Sequence, residues 1–186
     1  MSRRTASRAL LAVAISVSLA ACGDADESTG ADEPTGSAEP TSQACETQPP
    51  TAEPAESIST DLAERPEVPA TDAAPPCGLV ISDVVVGSGA EAVEGSTVAV
   101  KYLGAFYGTG KEFDSSWSRS ADETIPVPLG AGRVIPGFEQ GIVGMQVGGR
   151  RMVTIPSDLG YGDEGRAPIP GGATLVFVLD LVEVTP

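Results

Sequence analysis

Residues 77–186 are predicted to form an α+β fold, with residues 1–76 lying outside it. Two observations carry this expectation. Segments rich in β-branched residues recur through 77–186 between glycine-containing turns, and one short stretch there has helical spacing. Residues 23–76 before them have no sustained period of 2.0 or 3.6 residues.

The elements follow in order. Leu79 to Val86 is a β-branched run closed by Gly87-Ser88-Gly89. Ser96 to Tyr107 reads as a longer strand, with Val98, Val100, Tyr102 and Gly104 on one face at period two. Gly108 to Lys111 is a turn, and the chain then re-enters at Phe113-Asp114. Ile125 to Leu129 is extended, and Pro126 and Pro128 place it at an edge. Pro136 suits a first helical turn, and Phe138, Ile142 and Met145 follow at i, i+4 and i+7 as one apolar stripe. Gly141 and Gly144 weaken that helix and are expected to permit close packing under a sheet. Arg151 to Ile155 and Thr174 to Val184 complete the strands, and the last alternates. Ser157 to Gly172 between them is a long Gly/Pro-rich loop of the kind that is functional or mobile.

A chain of 186 residues suffices for one ordinary domain with extra segments. Histidine is absent, which excludes Ser-His-Asp and Cys-His catalysis and His-ligated zinc or haem. The net charge of −15 is unevenly spread. Residues 1–22 hold three arginines, 23–76 hold thirteen acids against Arg65, and 77–186 hold thirteen acids against seven bases. This is no footprint for nucleic acid, so no nucleic-acid partner is expected. The aromatic residues gather after Lys101, which fits one small core with an aromatic-lined site.

Arg3, Arg4 and Arg8 precede an apolar run from Ala9 to Ala21, the layout of a signal peptide. The run is shorter than the roughly 20 residues of a membrane span. It ends in Leu19-Ala20-Ala21-Cys22, which resembles a bacterial lipobox. Residues 1–21 would then be removed and Cys22 acylated. The alternative is a plain secretory peptide with an incidental Cys22. Arg3-Arg4 also suggests a twin-arginine signal, but Thr5-Ala6-Ser7 lacks its hydrophobic continuation. Two or more acyl chains anchor firmly, so the expected location is extracytoplasmic, lipid-anchored to the bacterial cell membrane and not spanning it. Residues 22–76 are expected to be an acidic, disordered linker, too poor in apolar residues to offset about 1–2 kcal/mol of backbone ordering per residue. Cys45 and Cys77 suggest a disulfide in that compartment, the alternative being free or intermolecular thiols.

Five blocks stand in order: Val100-Lys101-Tyr102-Leu103-Gly104, Gly110 to Ser116, Val134 to Met145, Tyr161-Gly162 and Ala173 to Phe177. Together they resemble the FKBP family of peptidyl-prolyl cis/trans isomerases over roughly residues 78–185. The resemblance implies a curved antiparallel sheet wrapped around one short helix, with an apolar pocket between them. Carried over by position, the pocket comprises Tyr102, Phe113, Asp114, Arg119, Ile125, Val134, Ile135, Phe138, Tyr161, Ile169 and Phe177. Asp114, Tyr161, Tyr102 and Phe138 are the implied catalytic set and the remainder the substrate-binding set. Phe138 would be the floor. Tyr161 would meet a substrate carbonyl, and Asp114 would sit by the twisting imide, held by Tyr102 or Arg119. Asp114 before Ser115-Ser116 also suits a turn cap. Trp117 is a rim contact or a loop cover.

The chain departs from the best-known members at three positions. Phe138 replaces a tryptophan, Ile125 replaces a phenylalanine, and Arg133 replaces an acidic residue. The implied partners are proline-containing polypeptides and the macrolides tacrolimus and rapamycin, with no cofactor, no metal and a monomeric state. The expected function is an isomerase assisting the folding of secreted or envelope proteins. The alternatives are a non-catalytic binding or chaperone module and, more remotely, a structural spacer.

Overall fold

A computed structural model describes residues 45, 46, 51 and 57–186. The expected signal peptide, Cys22 and most of the acidic linker lie outside the described residues. The strands are β1 (Val80–Val85), β2 (Thr97–Phe106), β3 (Glu112–Ser115), β4 (Ile125–Pro128), β5 (Arg150–Ile155) and β6 (Leu175–Thr185). One helix, α1, spans Pro136–Ile142, and a 3-10 turn spans Ser157–Leu159. The sheet order is β1-β5-β6-β2-β3, with β4 also on β2 and every pairing antiparallel. This is the α+β fold expected from the sequence, a curved antiparallel sheet with one short helix.

Strand β2 organises the sheet. One edge pairs with β6 along its whole length. The other edge is shared, Thr97 to Val100 with β4 and Leu103 to Ala105 with β3. Pro126 and Pro128 are accommodated because β4 is itself an edge strand.

Helix α1 lies against β5. A Cβ on Gly137 would stand 2.4 Å from Ile155 Cγ2, and one on Gly141 would stand 2.7 Å from Val153 Cγ2. Each glycine costs about 1 kcal/mol of helix propensity relative to alanine. That cost is offset by a backbone approach that no side chain would allow. Gly144 behaves otherwise than expected. Its φ of 80° stops the helix near Ile142, and a Cβ there would meet open space. Met145 is buried all the same, but from beyond the helix. Arg151 closes the helix end, donating from Nη1 to the carbonyls of Gly141 at 3.0 Å and Val143 at 3.2 Å. Its Nε pairs with Asp83 on β1 at 2.6 Å.

Residues 57–76, which precede the boundary expected at residue 77, pack on the domain. Ile58 and Pro66 are buried. Arg150, fully buried, directs its guanidinium to this segment and to Asp180, its cross-strand partner. Nε and Nη2 donate to Asp180 Oδ1 and Oδ2 at 2.6 and 2.7 Å. Nη1 donates to the carbonyls of Ser59 and Asp61, and Nη2 also donates to that of Glu64. All five guanidinium protons therefore have acceptors, the condition under which a buried charge is tolerated. Further along, Thr71 N–H donates to Gly108 O at 3.0 Å and the Tyr107 hydroxyl to Ala74 O at 3.3 Å. Arg65 forms an ion pair with Glu112. Cys45 and Cys77 are joined by a disulfide, their Cα atoms 5.0 Å apart.

Candidate active site

The inner face of the sheet carries Val98, Val100 and Tyr102 of β2, Val153 and Ile155 of β5, and Leu175, Phe177 and Leu179 of β6, all buried in one core with Phe138 and Ile142 of α1. Where β2, β3 and β6 meet the start of α1, this core opens into a cavity of about 300 Å³. Tyr102, Phe113, Asp114, Ile125, Arg133, Val134, Ile135, Phe138, Tyr161, Arg166 and Phe177 line it.

Its apolar wall is a set of crossed rings. Phe138 meets Phe177 edge-to-face at 5.1 Å and 88°, and Tyr102 at 6.0 Å and 85°. Phe113 meets Phe177 at 5.6 Å and 83°. Such edge-to-face pairs are worth about 0.5–1.5 kcal/mol beyond burial and fix the ring planes. Gly104 makes room for them. A Cβ there would lie 2.7 Å from the Phe113 ring and 2.8 Å from the Phe177 ring.

The polar side centres on Asp114. Its Oδ2 accepts from the Tyr102 hydroxyl at 2.5 Å. Its Oδ1 accepts from the Ser115 N–H at 2.8 Å and from Arg119 Nη1 at 3.3 Å. Burial, and then the Asp114 carboxylate, push the Tyr102 phenol above its ordinary pKa, so it remains a protonated donor at neutral pH. Arg119 also pairs with Glu123 and stands 5.8 Å from the Tyr102 ring centre. The Tyr161 hydroxyl makes no hydrogen bond among the described residues. At the entrance to α1, Ile135 O accepts from the N–H groups of Phe138 and Glu139, while the Ile135 N–H has no acceptor among the described residues.

Nine of the eleven residues carried over from the sequence line this cavity. Arg119 does not, holding Asp114 from an exposed position outside the lining. Ile169 does not either. It is buried in the core cluster, so the lining does not include this member of the expected substrate-binding set. Arg166 lines the cavity and was not anticipated from the sequence. Its loop is closed by reciprocal backbone bonds, Arg166 N–H to Ile169 O at 2.9 Å and Ile169 N–H to Arg166 O at 2.6 Å.

Fold and cavity together define a small α+β domain with an aromatic pocket, a tyrosine-held carboxylate and no histidine. A model of the FKBP-type peptidyl-prolyl cis-trans isomerase family matches residues 89–182. The chain is 48% identical over 123 residues to an FK506-binding protein of Streptomyces anulatus, an alignment covering 65% of this chain and 98% of that one. It is 47% identical over 119 residues to a probable FK506-binding protein of Corynebacterium glutamicum, covering 64% and 98%. The crystal structure of AtFKBP13 superposes with a TM-score of 0.53 at 36% identity, over 59% of this chain and 94% of that one. The chain belongs to the FKBP-type peptidyl-prolyl cis-trans isomerase family. The enzyme class expected from the sequence is the one these comparisons give.

Proposed function

We propose that the protein acts outside the cytoplasm, tethered by a lipidated Cys22, and isomerises Xaa-Pro bonds of secreted or envelope polypeptides in the cavity between β2, β3, β6 and α1. The observation that carries this reading is the Tyr102–Asp114 pair set into the wall of a pocket built on Phe113, Phe138 and Phe177. Amide resonance sets a barrier of about 18–20 kcal/mol to rotation. Twisting the bond returns the lone pair to the imide nitrogen and makes the carbonyl less polar. A pocket walled by Phe113, Phe138 and Phe177 favours that twisted, less polar state over the planar one, which is differential binding of the transition state. Asp114 stands beside the rotating imide. The Tyr161 hydroxyl and the Ile135 N–H hold the flanking peptide carbonyls. No proton need be shuttled and no covalent bond formed, so the missing histidine is no obstacle.

Cys22 and the apolar run before it support the anchored location, and the disulfide between Cys45 and Cys77 suits the same compartment. The anchor is tested by fractionation. Cys22→Ser should move the protein from membranes to the soluble fraction, and retention on membranes contradicts the lipid anchor. The pocket is tested by calorimetric titration of tacrolimus into the full chain. Saturable one-to-one binding that an Ala-Pro peptide competes away is expected. A folded chain that binds no macrolide contradicts the reading of the cavity.

A further inference from the structure

Six arginines lie in residues 57–186, and four of them are paired with carboxylates: Arg65 with Glu112, Arg119 with Asp114 and Glu123, Arg150 with Asp180, and Arg151 with Asp83. Arg133 and Arg166 make no ion pair and no side-chain hydrogen bond among the described residues. Both line the same cavity. They reach it from separate loops, Arg133 from the turn between β4 and α1 and Arg166 from the closed loop between β5 and β6.

This placement runs against the charge of the surroundings. Residues 77–186 hold thirteen acids to seven bases, yet the two arginines without acid partners among the described residues line the same cavity. The carboxylate that shares the lining, Asp114, already accepts from Tyr102, Ser115 and Arg119. Glu139, on the first turn of α1, accepts from the Gly130 N–H. Both guanidiniums are thus left with their forked donors available, a geometry that matches a carboxylate.

We propose that Arg133 and Arg166 are specificity residues that favour substrates carrying Asp or Glu next to the proline. The inference rests on the reading of the cavity as the Xaa-Pro site. With the proline ring against the aromatic wall, the neighbouring side chains lie at the mouth, within the field of both arginines. Both arginines are exposed, so the preference is moderate, about twofold to fivefold, and it weakens with salt.

The test compares kcat/KM of the full chain on matched peptides with Glu, Gln or Lys immediately before or immediately after the proline. Each is measured at low and at roughly 1 M salt, where screening is nearly complete. The order Glu, Gln, Lys is expected at one or both positions, with the Glu-to-Gln ratio falling toward one at high salt and in the Arg133→Gln, Arg166→Gln double variant. Because the ratio is taken within each variant, a general loss of activity cancels. Arg133→Glu with Arg166→Glu should invert the order in favour of Lys. A Glu-to-Gln ratio of one at both positions in the unaltered chain, or a ratio that survives the double substitution, overturns the inference and leaves the isomerase reading standing. Failure to turn over any of the peptides overturns both.

Discussion

The Tyr102 hydroxyl on β2 donates to Asp114 Oδ2 on β3 at 2.5 Å, tying the wall of the cavity to its one acidic group. The pair is a consequence of register. Gly104 stands opposite Asp114, and the tyrosine two residues earlier on the same face reaches the carboxylate diagonally. If this carboxylate faces the twisting imide, Asp114→Val should lower kcat/KM about tenfold to a hundredfold, the range for a hydrogen bond to a charged group. Tyr161→Phe removes one neutral hydrogen bond and should cost about fivefold. Both variants should keep the circular dichroism spectrum of the parent. Unchanged rates in both would remove the assigned roles while leaving the fold intact.

The raised pKa of Tyr102 sets a pH window with a definite sign. Burial is the first cause and the Asp114 carboxylate the next. A group whose folded value exceeds its unfolded value of 10.0 contributes stability fully below that pH. The contribution is lost as pH rises through the higher folded value. Thermal melts between about pH 8 and 11 should show an alkaline loss of stability that Tyr102→Phe diminishes. An identical alkaline limb in the variant would contradict the assignment.

Arg150 makes a stability prediction far from the cavity. It fixes the carbonyls of Ser59, Asp61 and Glu64 while neutralising Asp180. Arg150→Met should destabilise by about 3–5 kcal/mol, because it leaves a buried carboxylate uncompensated. Hydrogen exchange should accelerate across 57–66 beyond the global effect, since that segment loses its acceptors' common donor. A loss under about 1 kcal/mol, the range of an exposed pair, would show that the segment is held by other contacts.

Much of the fold could be read from residue patterns, and the exceptions have physical causes. Strands with alternate burial, such as Val98, Val100 and Tyr102, announce themselves by period. Residues 57–76 do not. They are held largely through backbone carbonyls and through the isolated residues Ile58 and Pro66, none of which produces a periodic signal. A signal did exist on the partner side. The alternation expected for β6 does not hold, because Val176 and Val178 are as buried as Phe177 and Leu179, and a strand apolar on both faces must be covered on both. The helix ends early because the stripe through Met145 is compatible with either a further turn or a reversal, and the positive φ of Gly144 decides for the reversal. Arg166 could not be anticipated from an exposed Gly/Pro-rich loop. Its position depends on a backbone closure with Ile169 that no spacing rule reveals. Within the cavity, the aromatic lining and the two side chains that hold Asp114, Tyr102 and Arg119, were legible through the family resemblance, whereas the Ser115 N–H as a third donor to that carboxylate was not.

The most direct test of the account is the rate of cis–trans exchange in a short Ala-Pro peptide with catalytic amounts of the full chain. Uncatalysed exchange takes tens to hundreds of seconds. The account predicts exchange accelerated in proportion to protein concentration and suppressed by stoichiometric tacrolimus. A folded, monodisperse protein that leaves the uncatalysed rate unchanged would contradict it.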